Sequence, residues 1–302
     1  MLLKEAIHQF TNHCKSVLTL SGHTLRAYES DLVDFRAHGA KRRRLDAIRK
    51  DDLRRYIRHL RDERQLKEAT IKRRLATLKL LFKWAAQEGH LTIENPFASL
   101  NEKIRLPKRL PRALDRSDQS LLRKAIATSH DLSDFDTLRG NTSIQLLLET
   151  GIRVGELVSI NLADVSTADG CIVIHGKGNR QRLAYTPQRP LQRRLAHYLA
   201  RRKRVRSESD RLLVTEDGHP LSTCAIRREL RRIATDAGIA RRVTPHMLRH
   251  TCATRWLECG VDIRFVQKLL GHHSISTTEV YTHVSDQGLR EALFRATRGS
   301  GR

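Results

Sequence analysis

Apolar positions recur at intervals of three and four residues along much of the chain, which is the period of an amphipathic helix. Leu25, Tyr28, Leu32 and Phe35 form one such stripe and predict a helix whose start is capped by Thr24. The sequence shows no internal repeat. The same period predicts further N-terminal helices in a short segment before residue 20, after residue 51, and over residues 70–89, where Gly89 would end the helix.

The second part of the chain changes its period once. Residues 171–174 form a continuous apolar run, and an extended pattern resumes over residues 181–186. A glycine-rich segment lies between them, so the two runs predict a β-hairpin. Helical patterns surround this hairpin, and the first of them would begin at a cap formed by Ser117 and Asp118. The predicted helices cover residues 118–129, 142–149, 153–160, 189–204, 222–237, 245–258, 262–270, 276–283 and 286–296.

A basic segment with two prolines separates the two patterns. Residues 101–113 contain Pro107 and Pro111, and proline removes a backbone donor and disfavours helix in the residue before it. We therefore expect a helical domain over residues 1–100, a basic linker over 101–113 and a mixed α/β domain over 114–302. The linker is extended and basic, so it is also a candidate to follow a DNA backbone.

The charge of the chain indicates which class of partner it binds. The 302 residues include 57 Lys and Arg against 33 Asp and Glu, a formal net charge of +24. The excess occurs in both predicted domains, and it indicates a polyanionic partner, most simply nucleic acid. A solvated surface is the alternative interpretation of any single basic run. Candidate DNA contacts on the third helix and the linker are Lys72, Arg73, Arg74, Lys79, Arg105, Lys108 and Arg109.

Several protein classes are disfavoured by composition. No apolar run of about 18 residues is present, so no membrane-spanning helix is predicted. The N-terminal residues lack the basic and then apolar pattern of a secretory signal. The five cysteines are scattered, without a Cys-x-x-Cys pair, which argues against a disulfide framework or a zinc ribbon. We therefore expect a cytoplasmic protein.

Two short clusters place basic side chains at the ends of predicted elements. Arg153 follows Gly151 and opens a helix, with Glu156 one turn later. Lys177 lies between two glycines at the tip of the predicted hairpin. In isolation, Arg153 would simply pair with Glu156, and Lys177 would be a solvated turn residue. The Gly-Lys-Gly sequence also lacks the spacing of a phosphate-binding loop.

Two further clusters carry histidine, arginine and tyrosine. Thr244 and Pro245 predict a helix start, which places His246 and Arg249 on one face of that helix. His246 and His250 lie one turn apart, but no third ligand at helical spacing supports a metal site there. The last cluster contains His272 and His273, followed by Tyr281.

Together these residues are the inventory for phosphoryl transfer without a metal. Two guanidinium groups can bind the non-bridging oxygens and stabilise the charge that develops on them. A lysine or histidine can protonate the leaving oxygen, and a tyrosine hydroxyl can attack phosphorus. Because no acidic cluster at metal-ligand spacing accompanies them, a two-metal nuclease is disfavoured, and we expect neither a metal nor another cofactor.

The ordered set Arg153, Lys177, His246-x-x-Arg249, His272 and Tyr281 resembles that of the tyrosine recombinases, the phage-integrase family, and most closely its compact Xer-like bacterial members. The resemblance extends over nearly the whole chain. It implies a mainly α fold, with an N-terminal helical core-binding (SAM-like) domain. A mixed α/β catalytic domain with a small β-hairpin would follow.

The resemblance also implies a role for each matching residue. Tyr281 would be the nucleophile that forms a 3′-phosphotyrosyl link and frees a 5′-hydroxyl. Arg153 and Arg249 would hold the non-bridging oxygens, and Lys177 would protonate the leaving 5′-oxygen. The remaining implied roles are proton acceptance from the tyrosine by His246, a hydrogen bond to the phosphate from His272, and support from Glu156 and His250.

Family members act on double-stranded DNA recombination sites as tetramers, through a Holliday junction and without ATP. For this chain the resemblance implies a homotetramer, or a heterotetramer with a related recombinase, with the terminal helix packed on a neighbouring protomer. His273 departs from the small polar residue that many relatives carry, which leaves the imidazole role less specific to His272. Two alternative functions remain: a catalytically silent DNA-binding or architectural protein, and a type IB topoisomerase that relaxes supercoils.

Overall fold

A computed structural model describes residues 1–18, 20, 22–38, 43–100, 104, 113–128, 134–176 and 181–271. The chain divides into two compact units, Met1–Lys108 and Arg109–Arg302. The helices predicted over residues 276–283 and 286–296 lie outside the described residues.

The described part of the first unit is helical. Phe35, Leu78 and Phe82, all from predicted stripes, are buried in its core together with apolar residues of the first helix. A π-helical turn, His59–Glu63, follows the third helix directly. The α-helices of this unit are α1 (Leu3–Ser16), α2 (Gly22–Ala37), α3 (Lys50–Arg58) and α4 (Glu68–Gln87).

The helix ends in this unit confirm one prediction and correct another. Gly89 lies just beyond α4 with a φ of 70°, the left-handed conformation that commonly ends a helix, so the predicted stop is confirmed. Helix α2 begins at Gly22, so Thr24 lies inside it and the predicted cap at Thr24 is wrong. The apolar stripe locates the helix but not its first turn, because the first turn lies before the first apolar contact.

The second unit is mixed, as predicted. Strands β2 and β3 form the predicted hairpin, with Cys171 opposite Tyr185 and His175 opposite Gln181. A two-residue strand, β1, pairs antiparallel with β2 and was not predicted. The elements are α5 (Arg116–Thr128), α6 (Phe135–Thr150), α7 (Val154–Ser159), β1 (Val165–Ser166), β2 (Cys171–His175), β3 (Gln181–Tyr185), α8 (Arg189–Arg202), α9 (Thr223–Asp236), α10 (Pro245–Glu258) and α11 (Ile263–Leu270).

Helix α6 is the central element of the second unit and packs against α8, α9 and α10. It is buried on nearly all sides, including the polar residues Thr142, Ser143 and Thr150. Each of these three hydroxyls donates to the carbonyl four residues earlier, so burial leaves none of them without a partner. Helix α6 begins seven residues before the predicted position 142, because a helix buried all round shows no amphipathic period.

The start of α5 also differs from the prediction. The helix begins at Arg116, and the cap is Asp115 rather than Ser117 and Asp118. One carboxylate oxygen of Asp115 accepts hydrogen bonds from the Asp118 backbone N–H and the Ser117 hydroxyl, both at 2.8 Å. The Thr244 cap of α10, in contrast, is confirmed, since its hydroxyl accepts from the Met247 backbone N–H at 3.3 Å.

Candidate active site

Arg153 stands at the junction between α6 and α7. Helix α6 ends at Thr150 and is capped by Gly151, whose φ of 63° turns the chain, and Arg153 is the residue that precedes α7. Its backbone N–H donates to one oxygen of Glu156 and its guanidinium donates to the other, both at 2.8 Å. The Arg153 side chain nevertheless keeps 47% of its surface exposed. The predicted pairing with Glu156 therefore coexists with a guanidinium that is open to a ligand.

The Glu156 carboxylate is shared with a second arginine that the sequence analysis missed. Arg182, on β3, donates from Nη1 and Nη2 to the two oxygens of Glu156, at 3.1 and 2.7 Å. Its Nε donates to the Leu269 carbonyl at 2.9 Å. Burial acts to raise the pKa of Glu156, but the hydrogen bonds and charges of Arg182 and Arg153 outweigh it and hold this pKa below its usual value.

A signal for Arg182 was present in the sequence. Side chains alternate across a strand, so Arg182 shares a face with Ala184, which is buried. An arginine that points toward a core needs an acceptor, and Glu156 was already a candidate site residue.

Arg249 lies on α10 and is almost completely buried, with 3% of its surface exposed. Its Nη1 donates to the Gly151 carbonyl and its Nη2 to the Leu270 carbonyl, each at 2.7 Å. The guanidinium therefore connects the end of α6 to the end of α11.

The two predicted arginines converge on one place. Arg153 approaches the Gly271 carbonyl with its Nη2 at 3.5 Å, while Arg249 binds the preceding carbonyl, that of Leu270. Two guanidinium groups thus reach consecutive carbonyls where α11 ends. A concentration of positive charge of this kind suits a phosphodiester anion.

A cavity of about 1440 Å³ opens beside Arg153; Arg249 is not among the residues that line it. Arg153 and Glu156 line it, together with Gly176, the residue before Lys177, and Gly271, the residue before His272. Lys177, His272 and Tyr281 themselves lie outside the described residues. His246 is exposed on the first turn of α10, and His250, one turn later, is buried.

A histidine that lines the cavity, His175, was also missed. His175, at the end of β2, lies with Nε2 2.8 Å from a carboxylate oxygen of Asp164. Asp164 also accepts from the Asn161 backbone N–H at 2.8 Å. These contacts fix the base of the hairpin to the turn before β1, at the residue that leads into Gly176.

The predicted DNA contacts on α4 fall into two groups. Lys72 and Lys79 are exposed. Arg73 is half exposed and forms an ion pair with Asp31, whereas Arg74 is largely buried and pairs with Asp34. The guanidinium of Arg74 therefore joins α4 to α2. Arg105, Lys108 and Arg109 lie outside the described residues.

Across the ranges that the structure describes, no three His, Cys, Asp or Glu side chains come together as a metal site. Within the same ranges, no helix combines the length and the apolar character that crossing a membrane requires.

Comparison with known proteins decides the family. Residues 116–288 match the phage integrase family, and residues 7–89 match the N-terminal SAM-like domain of phage integrases. The chain belongs to the phage integrase family of tyrosine recombinases. This recombinase is 33% identical to the tyrosine recombinase XerC of Listeria welshimeri over 294 residues, with 95% of each chain covered. It is 34% identical to the XerC of Thermodesulfovibrio yellowstonii over 300 residues, covering 96% of this chain and 95% of the relative.

Solved structures agree with the fold of the recombinase. The XerH site-specific recombinase bound to its difH substrate, in a pre-cleavage complex, superposes with a TM-score of 0.73 at 25% identity. That match covers 95% of this chain and 84% of XerH. A lambda integrase tetramer bound to a Holliday junction shares the fold, with a TM-score of 0.71 at 21% identity over 94% of this chain and 78% of the integrase. The mainly α fold with a SAM-like domain and a small sheet is confirmed.

Proposed function

We propose that this recombinase cleaves and rejoins double-stranded DNA at specific sites through a 3′-phosphotyrosyl link on Tyr281 and a Holliday junction. The observation that carries this assignment is the convergence of Arg153 and Arg249 on consecutive carbonyls at the end of α11. From that point the sequence continues directly to His272 and, ten residues after Gly271, to Tyr281.

Strand cleavage begins when the Tyr281 phenol oxygen attacks the scissile phosphorus. A bond forms between phosphorus and the phenol oxygen, and the bond from phosphorus to the 5′-oxygen breaks. His246 accepts the phenol proton, Lys177 donates a proton to the leaving 5′-oxygen, and His272 hydrogen-bonds the phosphate. Arg153 and Arg249 stabilise the charge on the non-bridging oxygens.

Ligation is the same chemistry in reverse. The 5′-hydroxyl of a partner strand attacks the phosphotyrosine, and the phenol leaves with a proton. The phosphotyrosyl link replaces a phosphodiester bond without loss of a phosphoryl group, so the exchange needs no ATP. Two rounds of this exchange pass through the junction.

Trapping on a nicked DNA site tests the assignment. When the short fragment beyond the nick diffuses away, ligation is blocked and a covalent protein–DNA product accumulates. Wild-type protein should form this product, and Tyr281→Phe, which lacks only the hydroxyl, should not. A covalent product from Tyr281→Phe would show that another residue is the nucleophile.

Binding to the nicked site and relaxation of an intact supercoiled plasmid together separate the two alternative functions. A silent architectural protein would bind the site without a covalent product, and a topoisomerase would relax supercoiled plasmid without exchanging strands between two sites. The family match covers both domains and nearly the full length of the XerC relatives, so it favours a recombinase over either alternative function.

The proposal extends to assembly and location. Four protomers on two DNA sites, either identical or paired with a related recombinase, would act in the cytoplasm. Residues 101–113 would be the linker between a DNA-binding domain over 1–100 and a catalytic domain over 114–302, and trypsin should cut there first. DNA should slow that cut if the linker follows its backbone.

A further inference from the structure

Arg182 is the described arginine of the cavity that the catalytic scheme leaves without a role. Its guanidinium makes a two-point contact with Glu156 and a third hydrogen bond to the Leu269 carbonyl. The Arg182 side chain is largely buried, with 13% of its surface exposed, against 47% for Arg153. Arg182 therefore differs from Arg153 both in its hydrogen-bond partners and in its exposure to solvent.

These contacts leave Arg182 poorly suited to bind a phosphate itself. All three of its guanidinium nitrogens donate to protein acceptors, and both oxygens of Glu156 are engaged. Turning toward a DNA phosphate would break three hydrogen bonds and leave Glu156 buried with less compensation, which is costly for a carboxylate.

Both of its partners lie next to predicted catalytic residues. Glu156 binds the backbone and the guanidinium of Arg153. Leu269 precedes Leu270, whose carbonyl binds Arg249. Arg182 thus contacts the supports of both arginines from a single position on β3, five residues after Lys177.

Gly271 shows how closely Arg182 approaches the end of α11. Gly271 adopts a φ of 66°, and a Cβ added there would lie 3.2 Å from Cδ and 3.3 Å from Nε of Arg182. The side chain of Arg182 therefore lies directly beneath the backbone from which the chain continues to His272.

We propose that Arg182 is a positioning residue for strand cleavage. It orients Arg153 through Glu156 and fixes the end of α11 through the Leu269 carbonyl. This inference rests on the proposed function and adds a residue to it that does not touch the DNA. Lysine cannot replace this arginine, since an ammonium cannot make the planar two-point contact and the third hydrogen bond at once.

The test compares Arg182→Lys with wild type on the nicked DNA site. The variant keeps the charge and the aliphatic stem, so DNA affinity in a gel shift should stay within about twofold. Formation of the covalent product at saturating DNA should slow by about 100-fold, the scale of a small misplacement of a catalytic group. Arg182→Gln, which removes the charge but keeps an amide donor, provides a second variant if the lysine variant does not fold, and it should slow formation of the covalent product at saturating DNA to a similar extent.

Arg194→Lys is the matched control. Arg194 also donates to a carbonyl and to a side-chain oxygen, those of Ile126 and Gln145, but it does not line the cavity. Its substitution should lower the melting temperature without slowing cleavage at saturating DNA. If Arg182→Lys and Arg194→Lys slowed cleavage equally, Arg182 would contribute only to the stability of the fold, and the proposal would be overturned.

A double variant tests the route through Glu156. If Arg182 acts through that carboxylate, adding Glu156→Gln to Arg182→Lys should slow cleavage by much less than the product of the two single effects. Effects that multiply would overturn this route, as would normal cleavage by Arg182→Lys. Absence of a covalent product from wild type itself would instead refute the proposed function.

Discussion

Arg153 and Arg249 are chemically identical, but the structure gives them different surroundings. Arg249 is buried between the ends of two helices and binds two backbone carbonyls. Arg153 is half exposed, and its guanidinium shares an acidic partner with Arg182. Both side chains have the same proposed role, which is to stabilise charge on the non-bridging oxygens. Their alanine variants should therefore differ mainly in the stability of the folded protein.

We expect Arg153→Ala and Arg249→Ala each to slow cleavage by at least about 100-fold, because each removes a donor to the developing charge. DNA affinity in a gel shift should fall far less, since many other basic residues share the binding. The free energy of unfolding should fall by less than about 1 kcal/mol for Arg153→Ala. That small loss is expected because the Arg153 guanidinium is half exposed and Arg182 still binds both oxygens of Glu156 when Arg153 is removed. The free energy of unfolding should fall by about 2–4 kcal/mol for Arg249→Ala, which leaves two buried carbonyls without their donor.

Urea unfolding measures the expected difference in the free energy of unfolding between Arg153→Ala and Arg249→Ala. Arg249→Lys serves as a control, because it keeps the charge but not the two-carbonyl geometry. Equal losses of stability in Arg153→Ala and Arg249→Ala would contradict the structural distinction between them. A loss of DNA affinity as large as the loss of cleavage would contradict their proposed role.

Glu156 makes stability depend on pH in a defined direction. Its pKa in the folded protein lies below its usual value because the hydrogen bonds of Arg182 and Arg153 outweigh the effect of burial. Its stabilisation is therefore complete above the unfolded pKa of about 4.3 and is lost as pH falls through the lower folded value. Urea unfolding of wild type and Glu156→Gln should give a stability difference that is constant near neutral pH and shrinks in this acid range. A difference that grew on acidification would contradict this sign.

At the scale of elements, the sequence predicted what amphipathic periods and turn chemistry encode. The helices with one apolar face and the β2–β3 hairpin appear near their predicted positions. The predictions failed where partners distant in sequence determine the structure. Helix α6 is buried on nearly all sides, and β1 is a two-residue strand defined only by its pairing with β2.

The candidate site shows the same division. The chemical types of the residues and their order along the chain were sufficient to predict Arg153, Glu156 and Arg249 as site residues. Arg182 was missed because its role depends on carboxylate and carbonyl groups 26 and 87 residues away. A local pattern can show that an arginine faces inward, but it cannot show which acceptor is there.

Gly151 joins α6 to the site, and its substitution tests this junction. A Cβ at Gly151 would lie 2.9 Å from Leu270 Cδ2, and the φ of 63° adds a strain of about 1–2 kcal/mol for alanine. We expect Gly151→Ala to destabilise the protein and, by displacing Leu270 and its carbonyl, to slow cleavage at saturating DNA. Melting temperature and covalent-product formation measure the two effects.

Gly238→Ala separates strain from contact. Gly238 has a φ of 76°, and nothing lies within 4 Å of a Cβ placed there. This variant should lose stability through strain and retain normal cleavage. If Gly238→Ala and Gly151→Ala slowed cleavage equally, the contact with Leu270 would not be what positions Arg249.

At the scale of the molecule, the net charge of +24 describes a polyanion-binding protein without locating its contacts. The structure shows which basic residues of α4 are available to contact DNA phosphates. Arg74 is occupied by ion pairs with acidic residues of α2, so its charge holds the first unit together. Lys72 and Lys79 are exposed and lie seven residues apart on one face of α4. Among the predicted contacts on α4, these lysines are better candidates than Arg74 for phosphate contacts.

We therefore expect the double variant Lys72→Ala/Lys79→Ala to weaken DNA binding at low salt and to reduce the dependence of log affinity on log salt concentration by about 2, one ion per lost phosphate contact. The loss should be similar for specific and unrelated DNA, because phosphate contacts carry no sequence information. Lys4→Ala/Lys15→Ala, which removes the same charge from exposed positions on α1, controls for net charge. An equal reduction of the salt slope in both double variants would mean that total charge, and not the face of α4, sets the affinity.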